Sequence, residues 1–257
     1  MIKVVIIGVC GKMGSALVSL ISEQSDLELV GGVESFGHPQ VDAPLGTGKI
    51  FADLESVVEY CDVGVEFTTP DASVRHAEII ANFGKCYILG TTGFSTNQMD
   101  ELKKLSQKIP IFYSPNFSIG VNVLFNLTES AAKLLGDNFD VEILEIHHTQ
   151  KRDAPSGTAK KLVEMIEKVS GKKKVITERT GTGKEKNKDE IGVFSIRSGD
   201  TVGEHYVIFG QKGERIELVH KASNRLAFAQ GVIRAIRFIR DKSRGFYGME
   251  QILNAKL

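Results

Sequence analysis

The sequence predicts an α/β protein with two parts, a Rossmann-like domain with a parallel sheet and a smaller α+β domain with an open, mostly antiparallel sheet. Three observations indicate this fold class. Up to Tyr113, short β-branched runs alternate with helical patterns, which is typical of a parallel sheet with right-handed crossovers. A glycine-rich segment joins the first of these runs to the first helix. From Ile191 onward, strand patterns follow one another with only short turns between them, which favours antiparallel pairing.

The N-terminal domain is expected to alternate strands and helices. Its strands are continuous apolar runs, as in sheets buried on both faces. They are Ile2–Val9, Leu27–Glu34, Val63–Thr68, Tyr87–Leu89 and Ile109–Tyr113. The helical patterns are 11–24, Leu54–Tyr60, Ser73–Phe83 and 95–108. Gly84 is placed to end the third helix, and Ser95 is placed to cap the fourth.

The pattern changes after Gly120. The elements expected there are a helix Val121–Leu135, a strand Asp140–His148, a helix Ser156–Val169, an antiparallel meander of Ile191–Ile196, His205–Phe209 and Arg215–His220, and a helix Leu226–Arg240. The polar segment from Lys172 to Asp189 is expected to be a solvated loop. Its residues 181–184 resemble part of a P-loop, but Glu185 follows where Ser or Thr is needed. We expect one domain over residues 1–119, a second over 120–225, and a return of 226–257 to the first.

Composition excludes several classes of protein. Lys plus Arg and Asp plus Glu number 32 each and the isoelectric point is about 7.0, which argues against a general binder of nucleic acids or membrane surfaces. No apolar stretch is long enough to cross a bilayer, and Met1 leads into a strand pattern rather than a signal peptide. The cysteines Cys10, Cys61 and Cys86 are odd in number and form no CxxC pair. We therefore expect free thiols and a cytoplasmic protein.

The glycine loop after the first strand predicts dinucleotide binding. Gly8 permits a tight turn, Gly11 lets the backbone approach a pyrophosphate, and Gly14 allows close packing of helix on strand. The helix N-terminus also favours an anion. Glu34 ends the second strand, where a carboxylate hydrogen-bonds a ribose diol. Its charge favours NADH over NADPH, although Lys12 could supply some positive charge.

Three further loops follow strand ends on the same edge of the predicted sheet. They are 67–70, 90–94 and 114–117, and each offers hydroxyl, amide or backbone donors. Each alone could be an ordinary turn. Because ligands bind at the carboxyl edge of such sheets, the three together favour a ligand.

The most informative segment is 145–159, with the sequence EIHHTQKRDAPSGTA. His147, His148 and Lys151 can donate protons or bind anions. The Ser-Gly-Thr turn at 156–158 opens a helix, and the first N–H groups of a helix can bind an anion. Side chains alternate along a strand, so His147 and His148 point to opposite faces and have different roles. No third and fourth ligands lie nearby at zinc spacing, so no metal is expected.

These motifs together resemble the 4-hydroxy-tetrahydrodipicolinate reductase (dihydrodipicolinate reductase) family of the diaminopimelate and lysine pathway. The segment 145–159 is similar to the family signature E-x-H-H-x-x-K-x-D-A-P-S-G-T-A without a departure. Supporting matches are the glycine loop and the segments 90–94, 116–122, 197–200, 202–205 and 220–223. The resemblance spans essentially the whole chain.

The resemblance implies hydride transfer from NADH or NADPH to a cyclic unsaturated dicarboxylate by a homotetramer. It implies a dinucleotide-binding domain, 1–119 with 226–257, and a substrate-binding and oligomerisation domain, 120–225. His147 matches the family's proton donor and acceptor, and Lys151 matches its proton donor. The substrate-binding positions carry over to His148, Gly157 and Thr158.

The cofactor-binding positions carry over in the same way. They are Gly8, Val9, Cys10, Gly11, Lys12, Met13, Glu34, Gly90, Thr91, Thr92, Ser114, Pro115, Asn116 and Phe117. Ser35 occupies the place where some members carry an arginine, which leaves the preference between NADH and NADPH open.

Two other classes of protein are alternatives to this family. A non-catalytic NAD-sensing regulator would need a DNA- or partner-binding module, and the sequence shows no helix-turn-helix or basic recognition helix. A different two-domain dehydrogenase, acting on an amino acid or a sugar, would share the glycine loop. The reaction of such a dehydrogenase does not require the His-His-x-x-Lys and Ser-Gly-Thr pattern.

Overall fold

The computed structural model describes residues 1–171, 174–181 and 185–254. The chain divides into two compact units, one of Met1–Ser118 with the chain from Arg225 onward, and one of Ile119–Asn224. Each unit has its own hydrophobic core. No helix in the described ranges is long and apolar enough to span a membrane.

The described residues form thirteen strands and seven α-helices. The strands are β1 Ile2–Ile7, β2 Leu27–Val33, β3 Pro44–Leu45, β4 Gly48–Phe51, β5 Val63–Glu66, β6 Cys86–Leu89, β7 Pro110–Tyr113, β8 Asp140–His147, β9 Lys174–Ile176, β10 Glu190–Arg197, β11 Gly203–Gln211, β12 Glu214–Ala222 and β13 Gly245–Tyr247. The helices are α1 Lys12–Ser22, α2 Pro70–Asn82, α3 Thr96–Leu105, α4 Ile119–Leu135, α5 Gly157–Glu167, α6 Leu226–Ile239 and α7 Met249–Asn254. Two short 3-10 helices cover Val58–Tyr60 and Gly136–Asn138.

The first unit contains an eight-stranded sheet in the order β13-β7-β6-β5-β1-β2-β4-β3. All neighbours are parallel except β3 and β4, which confirms the predicted parallel sheet. The chain runs outward from β1 in both directions, to β2 on one side and to β5 on the other. Such a reversal of strand order opens a crevice at the carboxyl ends of the strands, where ligands bind.

The second unit contains a five-stranded sheet in the order β12-β11-β8-β10-β9. The ladders of β11 with β12 and of β11 with β8 are antiparallel, whereas β10 pairs parallel with β8 and β9. The predicted meander is therefore wrong in one respect, because β10 does not pair with β11. The short turn between them suggested adjacency, but β8 lies between the two strands and pairs with both of them.

Several bounds differ from the sequence prediction. Strands β1, β2, β5 and β8 end one or two residues earlier than predicted, since the ligand loops begin there; at β1 the cause is Gly8, whose φ is +80°. Helix α2 begins at Pro70 because the Thr69 side chain caps it. The predicted helix Leu54–Tyr60 is only a 3-10 turn, and part of the lysine-rich segment forms the edge strand β9. Residues 182–184, in the P-loop-like stretch, lie outside the described residues.

Candidate functional site

The glycine loop joins β1 to α1 and has the backbone shape that an anion-binding turn requires. A Cβ at Gly8 would lie 2.7 Å from the carbonyl oxygen of Phe67, and one at Gly14 would lie 2.4 Å from the carbonyl oxygen of Gly8. Neither position can hold a side chain without a shift of backbone. Gly11 is the N-cap of α1 and is exposed, and no side chain caps this helix start. The first N–H groups of α1 are thus available to a phosphate, which fits a dinucleotide.

Glu34 follows β2 and lies over this loop. Its carboxylate accepts hydrogen bonds from the backbone N–H of Cys10 at 3.2 Å and of Ser35 at 3.0 Å. The Cys10 thiol donates to Gln40 Oε1 at 3.0 Å, and burial together with the Glu34 charge raises the pKa of that thiol. The carboxylate is therefore fixed at the rim of the glycine loop, where a ribose would lie.

A cavity of about 490 Å³ opens beside Glu34 in the first unit. The side chains with ionisable groups that line it are Glu34, Asp53, Glu55, Arg75 and His76. Sequence reasoning missed Asp53, Glu55, Arg75 and His76 as lining residues. Asp53 and Glu55 follow β4, a short strand that the sequence did not predict, so nothing placed them at this edge.

A buried carboxylate supports the floor of this cavity. Glu66, the last residue of β5, has no exposed surface and accepts a hydrogen bond from Tyr87 Oη at 2.8 Å. Its Oε1 accepts from Thr68 Oγ1, and its Oε2, which Tyr87 also contacts, lies 2.8 Å from His76 Nδ1. Burial, followed by the charge of Glu66, raises the pKa of Tyr87 well above its usual value. This network fixes the His76 ring at the cavity wall.

The three predicted ligand loops lie together at the carboxyl edge of the first sheet. Thr91 Oγ1 accepts from the backbone N–H of Thr68 at 3.1 Å and from Ser73 Oγ at 2.9 Å, which ties two of the loops to each other. Ser114 Oγ donates to the carbonyl of Asn116 at 2.7 Å. The side chains of Thr91, Ser114 and Phe117 are buried, whereas Thr92 and Pro115 are exposed. The buried members shape the loops, and the exposed ones are accessible to a ligand.

In the second unit, polar side chains gather at the carboxyl end of β8. Alternate residues of β8 face the core of the unit, first Val141 and Ile143 and then Glu145 and His147. Cross-strand pairing brings Ser195 beside Glu145 and Arg197 beside His147 on the same face, and places His205 beside Glu145 from the other side. The apolar row that packs the core thus turns polar where the strand ends.

Glu145 is the centre of this polar group and has no exposed surface. It hydrogen-bonds His147 Nδ1, and it accepts from the Arg197 guanidinium at 3.0 Å and from the backbone N–H of Ser156 at 3.3 Å. Burial alone raises the pKa of a carboxyl group, but the hydrogen bonds from His147, Arg197 and Ser195 outweigh it and lower the pKa of Glu145 to about 2. Glu145 is therefore a carboxylate throughout the physiological range.

The loop after β8 is held by the same group of residues. Arg197 donates to the carbonyl of Asp153 at 2.6 Å, and the Lys151 ammonium pairs with the Asp153 carboxylate at 2.8 Å. Ser156 caps α5 by accepting from the N–H of Ala159 at 3.1 Å. Gly157 and Thr158 form the first turn of α5, where backbone N–H groups have no acceptor within the helix. Lys151 and this helix start can together bind a carboxylate.

His205 is a member of this group to which sequence reasoning assigned no role. Its ring centroid lies 5.2 Å from that of His147, and its Nε2 lies 3.3 Å from Ser156 Oγ. Burial lowers the pKa of His205 to about 3, helped by the nearby positive charge of His147. His205 is therefore neutral throughout the physiological range. The alternation along β11 was the signal that could have placed it on this face.

The structure places the predicted residues in two groups. His147, Lys151, Gly157 and Thr158 come together around the end of β8, while His148 follows β8 and is half-buried. The predicted cofactor positions gather at the edge of the first sheet. Among the described residues no cluster of His, Cys, Asp and Glu has the arrangement of a metal site, and Cys10, Cys61 and Cys86 are free thiols.

Comparisons with known proteins agree with this arrangement. A family model described as the N-terminus of dihydrodipicolinate reductase matches residues 2–117, and one described as its C-terminus matches residues 120–253. The 4-hydroxy-tetrahydrodipicolinate reductases of Syntrophus aciditrophicus and Aquifex aeolicus are 42% and 43% identical, each over 98% of both chains. A dipicolinate-bound dihydrodipicolinate reductase from Paenisporosarcina sp. TG-14 is 30% identical, with a TM-score of 0.81 over 98% of this chain and 99% of that one.

Proposed function

The chain belongs to the dihydrodipicolinate reductase family, and we propose that His147 and Lys151 supply the proton in its reaction. That reaction is the reduction of 4-hydroxy-tetrahydrodipicolinate to tetrahydrodipicolinate with NADH or NADPH, in the synthesis of diaminopimelate and lysine. The observation that supports this assignment best is the His147 ring. It is nearly buried at a strand end, and Glu145 and Arg197 hold it beside the helix start of α5.

When bound, NADH or NADPH would supply a hydride to one carbon of the conjugated imine. The substrate is left with an enamine-like anion that must take up a proton. His147 meets this need because Glu145 binds its Nδ1 and leaves Nε2 to exchange the proton. Lys151 neutralises a substrate carboxylate and assists proton delivery. A positioned acid of this kind contributes on the order of a hundred- to ten-thousand-fold.

The substrate's carboxylates are bound by the helix start and its neighbours. The N–H groups of Gly157 and Thr158 point along the axis of α5, where the helix dipole favours an anion. No heavy atom lies within 4 Å of where a Cβ would stand on Gly157, so a ligand can approach this backbone closely. His148 completes the substrate site in this proposal.

The first unit, residues 1–119 and 226–257 in our assignment, binds the dinucleotide. The glycine loop from Gly8 to Met13 holds the pyrophosphate, and Glu34 accepts hydrogen bonds from the ribose. The loops at Gly90–Thr92 and Ser114–Phe117 hold the nicotinamide half. Support comes from Gly8 and Gly14, where a Cβ would clash with the backbone, and from the N-terminus of α1, which no side chain caps. Residues 120–225 bind the substrate and form the oligomer.

We also propose a homotetramer, assembled through the face of the second sheet that points away from Glu145. Alternate residues of β8, β10, β11 and β12 place apolar side chains on this face; they are Leu144, Ile146, Phe194, Ile196, Tyr206, Ile208 and Val219. Ile196 is 42% exposed and Val219 is 45% exposed. Contiguous apolar surface of this kind marks an interface. Sedimentation equilibrium tests the assembly, and a monomer at micromolar concentration would contradict it.

A cytoplasmic location is part of the same proposal. Its support is the three free cysteines, since thiols persist where the surroundings are reducing. Fractionation of the producing cells tests it, and recovery of the protein outside the cytoplasm would count against it.

The decisive assay for the proton donor uses His147→Ala with freshly made product of dihydrodipicolinate synthase. We expect kcat to fall on the order of a hundred- to ten-thousand-fold, with NADH binding retained, because the histidine lies in the other unit from the glycine loop. Oxidation of NADH and NADPH is followed by absorbance, and cofactor binding by fluorescence. Unchanged kcat would remove His147 from the role, and wild-type protein inactive with both cofactors would contradict the assigned reaction.

A further inference from the structure

The buried carboxylate of Glu145 contacts three polar parts of the candidate catalytic group. His147 is two residues along the same strand, Ser156 is the cap of α5, and Arg197 comes from β10. Taking a carboxylate out of water is costly unless it is paired and hydrogen-bonded. Glu145 satisfies this condition through the Arg197 guanidinium and the hydrogen bonds from His147 and Ser156. Since the same face of β8 is apolar at Val141 and Ile143, a charged pair at this point calls for a role beyond packing.

The contact with Glu145 decides which nitrogen of His147 can react. An ionised carboxylate can only accept a hydrogen bond, so Nδ1 of the neutral ring carries the hydrogen and donates it, and Nε2 carries the lone pair. Nε2 lies 3.1 Å from where a Cβ would stand on Gly203, the first residue of β11. Any larger residue there would crowd Nε2, and glycine leaves that space open. The ring is therefore held with one nitrogen anchored and the other presented to a ligand.

Arg197 fixes the carboxylate in turn. Its guanidinium bonds Glu145 at 3.0 Å and the carbonyl of Asp153 at 2.6 Å, so the carboxylate and the loop that carries Lys151 share one anchor. The charged and titratable groups around His147 come from four strands and this loop. They are Glu145 on β8, Arg197 on β10, His205 on β11, His220 on β12, and Lys151 and Asp153 in the loop.

We propose that Glu145, clamped by Arg197, is the positioning residue that selects the reactive form of His147: it holds the ring with Nδ1 protonated and stabilises the imidazolium that delivers the proton. This inference rests on the proposed role of His147. Glu145 does not touch the substrate. It acts through the imidazole, in the way that an orienting carboxylate acts on a general acid. A purely structural role, as a partner for the N-terminus of α5, would leave the chemistry of the ring unchanged.

The test compares Glu145→Gln with Glu145→Asp and with Glu164→Gln. Glutamine keeps the size of the side chain but loses the charge, and aspartate keeps the charge on a shorter side chain. Glu164 lies on the exposed face of α5, paired with Lys161, so Glu164→Gln is a charge-matched control. Steady-state kinetics are measured across pH, and nitrogen-15 spectra of the histidines report which ring nitrogen is protonated.

For Glu145→Gln we expect kcat to fall on the order of a hundred-fold, as for lost orienting partners elsewhere, with the KM for NADH unchanged. Because the imidazolium loses its counter-charge, activity is lost at a lower pH than in the wild type as pH rises. The His147 signals change toward a mixture of the two ring forms. Glu145→Asp should be intermediate in both readouts, and Glu164→Gln should match the wild type.

Wild-type kcat and an unchanged ring form in Glu145→Gln would overturn the proposal. If Glu145→Gln does not fold, Glu145→Asp is the test. Wild-type kcat and an unchanged ring form of His147 in Glu145→Asp would also overturn the proposal. The variant His147→Ala distinguishes the proposed role of Glu145 from the proposed role of His147. A loss of activity in His147→Ala with none in Glu145→Gln removes only the role of Glu145, whereas full activity in His147→Ala removes the proposed function of His147 itself.

Discussion

His147 and Glu145 are two residues apart on β8, and the alternation of the strand places both side chains on one face. By the same alternation His148, the residue next to His147, does not share this face, as the sequence predicts for adjacent residues of a strand. What a single residue does is then set by its partners: the Glu145 carboxylate is held by the His147 ring and the Arg197 guanidinium, and the Glu34 carboxylate is held by two backbone N–H groups. The first is buried, and we propose that it orients the ring, while the second remains at a cavity rim.

The role of Glu34 is open to a direct test. We expect Glu34→Ala to weaken NADH binding more than NADPH binding, because the carboxylate bonds the ribose diol of NADH and repels a 2′-phosphate. Dissociation constants for both cofactors provide the measurement. Asp42→Ala is a suitable control, since Asp42 is an exposed carboxylate that pairs with Lys49. Equal losses for the two cofactors would count against the ribose contact.

At the scale of elements, β8 and α5 together carry the proposed catalytic group. Strand β8 supplies Glu145 and His147, and α5 supplies the helix start with its Ser156 cap. The sequence predicted both elements to within two residues at either end, since each has a strong period and a clear boundary residue. It could not predict which strands flank β8. Pairing between strands is decided by packing across the whole sheet, and the sequence carries no local signal for it.

The cap of α5 gives a prediction at this scale. Ser156→Ala removes the acceptor for the N–H of Ala159 and the hydroxyl beside His205, and we expect it to lower the free energy of unfolding by about 1 kcal/mol. It should also lower kcat, because the N-terminus of α5 is the proposed anion site. Ser95→Ala is the matched control, since Ser95 caps α3 in the first unit. It should cost similar stability, measured by urea unfolding, without loss of kcat. Equal kcat losses in both variants would contradict the link between cap and site.

At the scale of the whole molecule, the glycine loop and the proposed proton donor His147 lie in two different units with separate cores. The first has a parallel sheet whose reversal of order creates the crevice beside Glu34. The second has a mixed sheet, one face of which ends in buried ionisable groups. Those groups couple the stability of the fold to pH.

We expect the free energy of unfolding to fall as pH is lowered from 6.5 toward 3. Burial lowers the pKa of His205 from 6.5 to about 3, so within this window the unfolded chain takes up a proton that the folded chain does not. Above 6.5 the residue is neutral in both states and contributes nothing. Glu145 adds a similar loss between 4.5 and about 2, where only the unfolded carboxylate is protonated.

Urea unfolding across this pH range measures the effect. His205→Gln should flatten the slope between 6.5 and 4.5, because glutamine does not titrate. His38→Gln is the control, as His38 lies in a loop of the first unit outside the buried group. A slope in His205→Gln equal to that of the wild type would rule out His205 as its source.

The sequence by itself determined the alternation of strands and helices, the glycine loop, and the segment that holds His147 and Lys151. These features depend on the local periodicity of apolar residues, on glycines at positions where no side chain fits, and on a contiguous motif. Only the tertiary structure decided that Glu145, Arg197 and His205 surround His147, and that Asp53, Glu55, Arg75 and His76 line the cavity with Glu34. The reason is physical: strand order and register bring these residues together across tens of positions in sequence, and burial then sets their charge.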